Sequence, residues 1–153
     1  MAVTIAIESP LQDDVRTLIA ALNAHLLTLT PPEFCSHMSV EDMAGDDTTV
    51  FIARDDGQAV ACGALRRHGQ GVGEVKRMYT IPPRQGEGIG GRIVTYIEAL
   101  AREEGLTRLV LETGHAHQAA YRVYERAGFT RCGPVLDYPD TGWSVFYEKD
   151  LAG

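Results

Sequence analysis

The chain has 153 residues, of which 44% are hydrophobic and 23% are charged, with a mean hydropathy of −0.11. This composition predicts one globular domain over residues 1–153 and excludes a fibrous or largely disordered chain. With 21 acidic residues against 14 Lys and Arg, the formal net charge is −7, which argues against a nucleic-acid-binding protein and favours a cationic partner.

Neither the first residues of the chain nor the cysteine pattern indicates export. No apolar run approaches the roughly 20 residues that span a bilayer, and the first ten residues lack a basic segment followed by a long apolar one. Cys35, Cys62 and Cys132 are far apart and form no C-x-x-C pair, so neither a disulfide framework nor a zinc site is expected. We therefore expect a cytoplasmic protein without membrane contact.

The first predicted element is a helix that begins at Ser9, with Pro10 in its first turn and Gln12 completing a capping box. Its apolar stripe consists of Leu11, Val15, Leu18, Leu22 and Leu26. Two prolines at positions 31 and 32 end this pattern. A short helix from Ser39 to Ala44 is expected to follow, with Ser39 as its N-cap.

The middle of the chain predicts an antiparallel meander. Thr48–Arg54 and Ala59–Arg67 have strand composition and are joined by the hairpin signal Asp55–Gly57. After a glycine-rich turn over His68–Gly73, a third strand is expected at Glu74–Ile81. The charged residues in this strand indicate that one face lies near water or a ligand.

The remaining elements alternate between helix and strand. They are a helix over Gly88–Glu104 that stops at Gly105, a strand over Arg108–Thr113, a helix over Ala119–Ala127, and closing strands over Phe129–Cys132 and Trp143–Leu151.

Four glycines lie in the segment Arg84–Gly91, between the third strand and the long helix. Free backbone N–H groups at a helix N-terminus attract anions, and glycines allow a pyrophosphate to approach the main chain. The segment therefore predicts a site for a phosphate-bearing cofactor, the alternative being a plain flexible turn.

Two cofactor classes fit these glycines. Gly86-x-Gly88-x-x-Gly91 satisfies the dinucleotide fingerprint, and Glu112 stands where a ribose-binding acid belongs. However, a nucleotide-binding strand of a doubly wound sheet is almost wholly apolar, whereas the strand before this turn carries three charged residues. No Gly-Lys-Ser or Gly-Lys-Thr follows the glycines, which excludes a Walker phosphate loop.

The second interpretation takes the spacing Gln85-x-x-Gly88-x-Gly90 together with the later segment Tyr124–Phe129. In these two blocks the sequence resembles the GNAT superfamily of acetyl-CoA-dependent N-acetyltransferases, over roughly Glu74–Cys132. The resemblance implies a single-domain α+β fold with a mixed, mostly antiparallel central sheet flanked by helices.

The resemblance also implies how acetyl-CoA is held. Backbone amides of the glycine-rich turn would bind the CoA pyrophosphate, and the preceding strand would pair with the pantetheine arm and point the Met78 amide at the thioester oxygen. His117 replaces an Asn that contacts the pantetheine arm in many members. The implied cofactor-binding residues are Met78, Tyr79, Thr80, Gln85, Gly86, Glu87, Gly88, Ile89, Gly90, Gly91 and His117.

The implied chemistry is direct acetyl transfer to an amine in a ternary complex. Tyr124 matches the tyrosine that protonates the departing CoA sulfur, and Glu74 aligns with a general-base glutamate. The alternatives are that Tyr124 is only a core aromatic and Glu74 only a solvated residue at a strand end. His115 and His117 are not expected to hold a metal, because no third ligand accompanies them.

The amine acceptor is not identified by any motif. Small amines, free amino acids, aminoglycosides and peptide N-termini all remain open, and the segments 22–43 and 134–143 are expected to shape the acceptor site. A non-catalytic acyl-CoA sensor and a nicotinamide-dinucleotide-binding protein remain as alternatives. Members of the family often form dimers, so the resemblance adds a homodimer to the alternatives. The sequence shows no interface for it.

Overall fold

One seven-stranded sheet organises the computed structural model, which describes residues 3–34, 38–114 and 118–151. The strands are β1 (Val3–Ile7), β2 (Thr48–Asp55), β3 (Gln58–Arg67), β4 (Val72–Thr80), β5 (Arg108–Gly114), β6 (Thr130–Cys132) and β7 (Ser144–Asp150). Their order is β1-β2-β3-β4-β5-β7-β6, and all neighbours are antiparallel except β4 and β5.

Helices cover both faces of this sheet. Within the described residues they are α1 (Asp13–Leu29), α2 (Val40–Met43), α3 (Ile89–Glu103) and α4 (Gln118–Arg126). Buried apolar residues of α3 and Tyr124 of α4 form the core on one face, whereas those of α1 and α2 pack on the other. The predicted α+β architecture, with a mixed and mostly antiparallel sheet flanked by helices, is confirmed. None of the described helices is long and apolar enough to cross a membrane.

The sheet divides between β4 and β5. These parallel strands pair only through residues 72–74 and 108–110, although β4 continues to Thr80 and β5 to Gly114. Beyond the paired residues, β4 remains bonded to β3 and β5 to β7. A cleft therefore opens in the sheet, with an unpaired edge of β4 on one side.

A β-bulge interrupts β4 beside this cleft. Cys62 of β3 is opposite Tyr79, but Ala64 is opposite Lys76, so β4 contains one extra residue. Arg77 occupies the bulge with φ +57°. Across the pair, a Cβ on Gly63 would collide with the Met78 sulfur, so only glycine leaves room for that side chain.

The predicted capping box at Ser9 is wrong. Helix α1 begins at Asp13, and its N-cap, Gln12, makes no side-chain capping bond. The Ser9 hydroxyl instead accepts a hydrogen bond from the Leu11 N–H at 3.1 Å, and the Gln12 amide donates to the Ser9 carbonyl. The chain thus forms a turn before the helix starts, which leaves Leu11 48% exposed and outside the apolar stripe.

Two further boundaries differ from the sequence prediction. No pattern predicts β1, an edge strand with one buried residue that pairs with β2 more than 40 positions away. β4 begins at Val72, within the predicted turn, because Val72 and Gly73 pair with β5. The cap of α2 is confirmed, since the Ser39 hydroxyl accepts from the Asp42 N–H at 3.0 Å.

Candidate active site

A cleft of about 770 Å³ lies where β4 and β5 separate, bordered by α1, the start of α3 and α4. It is lined by most of the residues that the sequence singles out, namely Glu74, Met78, Tyr79, Thr80, Gln85, Gly86, Gly88, Ile89, Gly90, Gly91 and Tyr124. Glu87 is not among the lining residues, because its carboxylate turns to Arg84 at 3.0 Å. His117 and its neighbour His115 fall outside the described residues.

The glycine-rich turn leads directly into α3. Gly86 and Gly88 have φ of +85° and +82°, and a Cβ on either would meet nothing within 4 Å. Backbone conformation, not space, therefore requires glycine at both positions. Gly88 is the N-cap of α3 and has no side chain to accept from the first helical N–H groups, which leaves them available to an anion.

Arg122 and Arg126 line the cleft from α4, the helix whose Val123 lies beside Gly90 at the turn. Arg84 also lines the cleft, but its guanidinium is already paired with Asp55 and Glu87. The Gln85 amide donates a hydrogen bond of 2.9 Å to the Thr80 carbonyl and so holds the turn against the end of β4. The glycine-rich end of the cleft combines main-chain donors, a helix N-terminus and guanidinium groups, which suits a ligand with several phosphates.

The middle of the cleft offers main chain rather than side chains. Thr80 and Tyr79 pair with Ala61 and Cys62 of β3, so their strand has one bonded edge and one edge toward the cleft. The bulge at Arg77 breaks the regular pleat immediately before Met78. An elongated ligand with amide groups can therefore bond to β4 as an added strand would.

Tyr124 reaches the cleft from the opposite side, on α4. It is 6% exposed and packs against the rings of Phe129 and Tyr147. Within the described part of the chain, its hydroxyl makes no hydrogen bond. Burial raises the pKa of Tyr124, and the nearby Glu112 carboxylate raises it further. The phenol therefore stays protonated at neutral pH and is available as a donor.

Glu74 lies at the centre of a buried polar cluster. The Tyr138 hydroxyl donates to its carboxylate at 2.6 Å, His68 Nε2 lies 2.7 Å away, and Lys76 Nζ lies 3.4 Å away. Lys76 also donates to the Tyr138 hydroxyl at 2.8 Å. The loop segment 137–139, which as a sequence is typical of an ordinary turn, thus brings Tyr138 into contact with a predicted catalytic residue.

Glu112 is a functional candidate that the sequence analysis assigned only to the dinucleotide alternative. It projects from β5 into the cleft and accepts a hydrogen bond of 2.6 Å from the Ser144 hydroxyl. Burial raises the pKa of Glu112, a shift that Ser144 and Lys76 oppose. Its position at the end of a buried apolar strand is the sequence signal that marks it, since such ends commonly carry functional residues.

Arg77 is a second residue that sequence reasoning missed. Its side chain turns to α1, where Nη2 donates to the Asn23 side-chain oxygen, and it is 8% exposed. Its Nε is buried without a hydrogen-bond partner among the described residues. Burial lowers the pKa of Arg77, yet a guanidinium remains charged in proteins. The α1 side of the cleft is lined by Leu22, Leu26 and Leu29 together with His25 and Thr30.

The described thiols are not arranged as nucleophiles. Cys62 is buried, donates a hydrogen bond of 3.2 Å to the Arg77 carbonyl, and has a pKa that burial raises to about 12. Burial also raises the pKa of Cys132, which lies away from the cleft. Over the described ranges, no three His, Cys, Asp or Glu side chains are grouped as metal ligands.

Known proteins resemble this chain along most of its length. The model of the acetyltransferase (GNAT) family matches residues 19–129. An IAA acetyltransferase of Azospirillum brasilense is 41% identical over 97% of this chain and 98% of its own. The uncharacterized N-acetyltransferase YsnE of Bacillus subtilis is 32% identical, over 89% of this chain and 93% of its own.

Solved structures agree with these relatives. A Klebsiella pneumoniae protein assigned to the acyl-CoA N-acyltransferases has 33% sequence identity, a TM-score of 0.82 and 97% coverage of both chains. An aminoglycoside 6'-N-acetyltransferase complexed with coenzyme A has the same fold, with a TM-score of 0.74 at 17% identity and 98% coverage of both chains. The chain therefore belongs to the acetyltransferase (GNAT) family, whose acyl donor is acetyl-CoA, and is an N-acetyltransferase of that family.

Proposed function

We propose that this protein transfers the acetyl group of acetyl-CoA directly to the primary amine of a small molecule or peptide, with both substrates bound at once. The observation that carries the proposal is the continuity of one cleft. The glycine-rich helix start, an unpaired strand edge, a buried phenol and two carboxylates all line it. These are the groups that a CoA thioester and an attacking amine need.

The donor half of the proposal rests on main-chain groups. The amides of Gln85, Gly86, Glu87, Gly88, Ile89, Gly90 and Gly91 bind the pyrophosphate, and Tyr79 and Thr80 pair with the pantetheine arm, to which His117 adds a contact. The Met78 N–H, just beyond the bulge, polarises the thioester carbonyl. One such donor aimed at a developing oxyanion is worth about 2.7 to 4 kcal/mol in other enzymes.

The bond changes are those of a simple acyl transfer. The amine nitrogen attacks the carbonyl carbon, a C–N bond forms, the C–S bond breaks, and the sulfur leaves with the electron pair. Tyr124 donates its phenolic proton to this sulfur. Its raised pKa and its freedom from other hydrogen bonds in the described residues support this role, because they keep the proton in place until the thiolate forms. The proton that the acylated nitrogen loses as the amide forms returns to the phenolate, so the phenol is restored and one CoA thiol is released for each amide made.

The proton of the attacking ammonium passes to a carboxylate, and two lie in the cleft. Glu74, which the family resemblance assigns as the base, already accepts from Tyr138 and contacts His68 and Lys76. Glu112 accepts from Ser144 and has a raised pKa. The contacts therefore favour Glu112, since a carboxylate with fewer donors is the better base, while Glu74 stays the rival assignment.

A direct route is supported by the state of Cys62. A covalent acyl-enzyme needs a reactive thiolate, and the raised pKa of this buried thiol works against one. The dinucleotide alternative has little support, because the strand before the glycine turn is antiparallel to β3 and belongs to a largely antiparallel sheet. A non-catalytic acyl-CoA sensor would not need the phenol of Tyr124 in the cleft.

The first test is a thermal-shift comparison of acetyl-CoA, CoA and NAD, followed by thiol release from acetyl-CoA with a panel of amines. A ligand at a hundredfold excess over its Kd stabilises by about 2.7 kcal/mol, which raises the Tm of such a domain by roughly 5 to 10 °C. We expect this rise with acetyl-CoA and CoA and amine-dependent release of thiol. A rise with NAD alone contradicts the proposal, and CoA binding without release by any amine leaves the sensor in its place.

A further inference from the structure

Arg77 is a buried positive charge that the described residues around it do not neutralise. Its side chain donates to the neutral amide oxygen of Asn23, and its Nε has no acceptor among them. None of the ion pairs formed in the described chain includes it. Arg54 of β2 is different, because its guanidinium bonds to two carboxylates. These belong to Asp14 in α1 and to Glu8, which precedes that helix.

A buried charge without a counter-charge lowers the stability of the folded protein. A charge removed from water is tolerated where it is paired or fully hydrogen-bonded, and replacing it with an apolar side chain of similar size is often neutral or stabilising. Arg77 also occupies a left-handed backbone conformation, with φ +57°, which is uncommon for a side chain of this kind. A buried, incompletely satisfied charge in a strained position indicates a group kept for a ligand.

The place of Arg77 in the cleft narrows the identity of that ligand. It immediately precedes Met78, whose amide faces the acetyl carbonyl in the proposed complex, so it lies at the reacting end. The phosphates of CoA would lie beyond Thr80, at the glycine-rich turn past the end of β4. A phosphate there is on the wrong side of Met78 to reach the guanidinium, which leaves the acceptor as the source of the anion.

The reacting end of the cleft has side chains of both charge signs. Arg77 turns to α1, whereas Glu112 lines the cleft from β5. An acceptor with an ammonium near Glu112 and a carboxylate near Arg77 would satisfy both charges at once. On the α1 side, Leu22, Leu26 and Leu29 line the cleft beside His25 and Thr30, and these leucines offer contact for an apolar side chain.

We propose that the acceptor is an amino acid or similar amino-carboxylate with an apolar side chain, and that Arg77 binds its carboxylate. This inference rests on the proposed acetyltransferase function and names its substrate class. A guanidinium binds a carboxylate through two parallel hydrogen bonds, and Asn23 holds one of its nitrogens in place for that pairing.

The test compares acceptors that differ only in the carboxylate. L-Leucine, L-leucinamide and 3-methylbutylamine share one side chain, and thiol release from acetyl-CoA gives kcat/KM for each. Three variants accompany the wild type: Arg77→Met removes the charge, Arg77→Lys keeps it, and Arg16→Met is a control on the exposed side of α1. Because the ratio of leucine to leucinamide is compared between proteins, differences in the intrinsic reactivity of the two amines cancel.

We expect Arg77→Met to lower that ratio by about 10- to 100-fold, the value of a charge-assisted hydrogen bond, with Arg77→Lys in between and Arg16→Met unchanged. A ratio that Arg77→Met leaves unaltered overturns the proposal. If the wild type releases thiol with none of these three amines but does so with another amine of the wider panel, the amino-carboxylate proposal is overturned. Release with no amine of that panel contradicts the acetyltransferase function itself, which is a different result.

Binding without turnover gives a second readout. 4-Methylpentanoate is leucine without its amine and keeps the carboxylate, and 4-methylpentanamide is its neutral control. The acid is expected to raise the Tm of the CoA-loaded wild type but not that of Arg77→Met, while the amide raises neither. Arg77→Met without ligands is expected to unfold at or above the wild-type Tm. Equal shifts by acid and amide in the wild type contradict carboxylate recognition.

Discussion

The two ends of the candidate active-site cleft are built in different ways. The end that we propose for CoA, called the CoA end, comes from one continuous stretch, in which β4, the glycine-rich turn and α3 follow each other and present main-chain groups. The end that we propose for the amine, called the acceptor end, is assembled from α1, β4, β5 and the loop before β7, and it presents side chains. Recognition by main chain depends on backbone conformation, whereas recognition by side chains depends on how distant segments pack.

This difference predicts which substitutions damage which half. At the CoA end, a change matters where it alters φ or blocks the approach of the main chain. At the acceptor end, a substitution matters where it removes a charge or a hydrogen bond that no neighbouring side chain can supply. Variants at each end separate these two kinds of effect. The first is a variant of Tyr124, the proposed proton donor.

Tyr124→Phe is expected to have the largest effect on the rate. Loss of the phenolic proton lowers kcat by about 10² to 10⁴, the usual contribution of a general acid, while the Kd for acetyl-CoA stays the same. Turnover and acetyl-CoA affinity are measured on the same preparation. Tyr121→Phe is the matched control, because Tyr121 lies on the same helix but is not itself among the residues that line the cleft. Equal losses in both variants would assign Tyr124 to packing alone.

The two carboxylates of the acceptor end are separated by their pH profiles. A base must be deprotonated, so the rate rises as pH rises through its pKa, and the raised pKa of Glu112 places this limb above the usual carboxylate value. We expect Glu112→Gln to lower kcat/KM by about 10² and to abolish the limb. Disappearance of the limb in Glu74→Gln instead would identify Glu74 as the base.

Glu148→Gln is the control for that comparison. Glu148 accepts from Arg108 at 2.6 Å on the part of β7 away from the cleft, and its replacement should leave the profile unchanged. Glu74→Gln also alters the contact with Tyr138, so its free energy of unfolding is measured alongside its rate. If Glu74→Gln lowers the rate but leaves the rising limb of the pH profile in place, Glu74 positions other groups and does not accept the proton.

The glycine-rich side of the cleft could be located from the sequence because the patterns that mark it are local. The glycine spacing and the start of α3 lie within eight residues, Arg84–Gly91, and the segment Tyr124–Phe129 includes the phenol itself. The hairpin, the long helix and the buried β5 are likewise short-range patterns. The proposed roles of these residues stay predictions until the variants are measured.

The acceptor end was not predictable because its contacts are long-range. Arg77 meets Asn23 across 54 positions, and Glu74 meets Tyr138 across 64. No spacing rule connects such pairs, and a charged residue in a strand is most often a solvated one. β1 was missed for the same reason, since its partner strand is more than 40 positions away and Ile7 is 60% exposed.

A pair of glycines tests whether the CoA end depends on backbone conformation. Gly88 and Gly57 have nearly the same φ, +82° and +83°, and a Cβ added to either would have open space around it. Alanine at either site is expected to lower the free energy of unfolding by about 1 to 2 kcal/mol, the cost of a left-handed residue. Only Gly88→Ala should weaken CoA binding, by about 10-fold, as the first-turn amides shift.

Chemical denaturation and a CoA titration of both variants give these two numbers. Gly57 lies in the turn between β2 and β3, outside the lining of the cleft, so it carries the conformational cost without the ligand contact. An unchanged Kd for CoA in Gly88→Ala would show that the turn tolerates a side chain and that the amide cradle is not the binding determinant.

The smallest effect is the pH dependence of stability at Glu112. Burial raises the pKa of Glu112 in the folded state, so the folded protein holds this proton more tightly than the unfolded chain, whose pKa is near 4.5. Stability from this group is therefore complete below pH 4.5 and is lost as pH rises through the folded pKa. A glutamine side chain does not titrate and has no such loss, so the advantage of Glu112→Gln should grow over that window and then level off. Denaturation at a series of pH values measures it. Parallel curves for the two proteins would mean that the cleft keeps Glu112 solvated, which would leave its smaller number of hydrogen-bond donors as the reason to prefer it over Glu74.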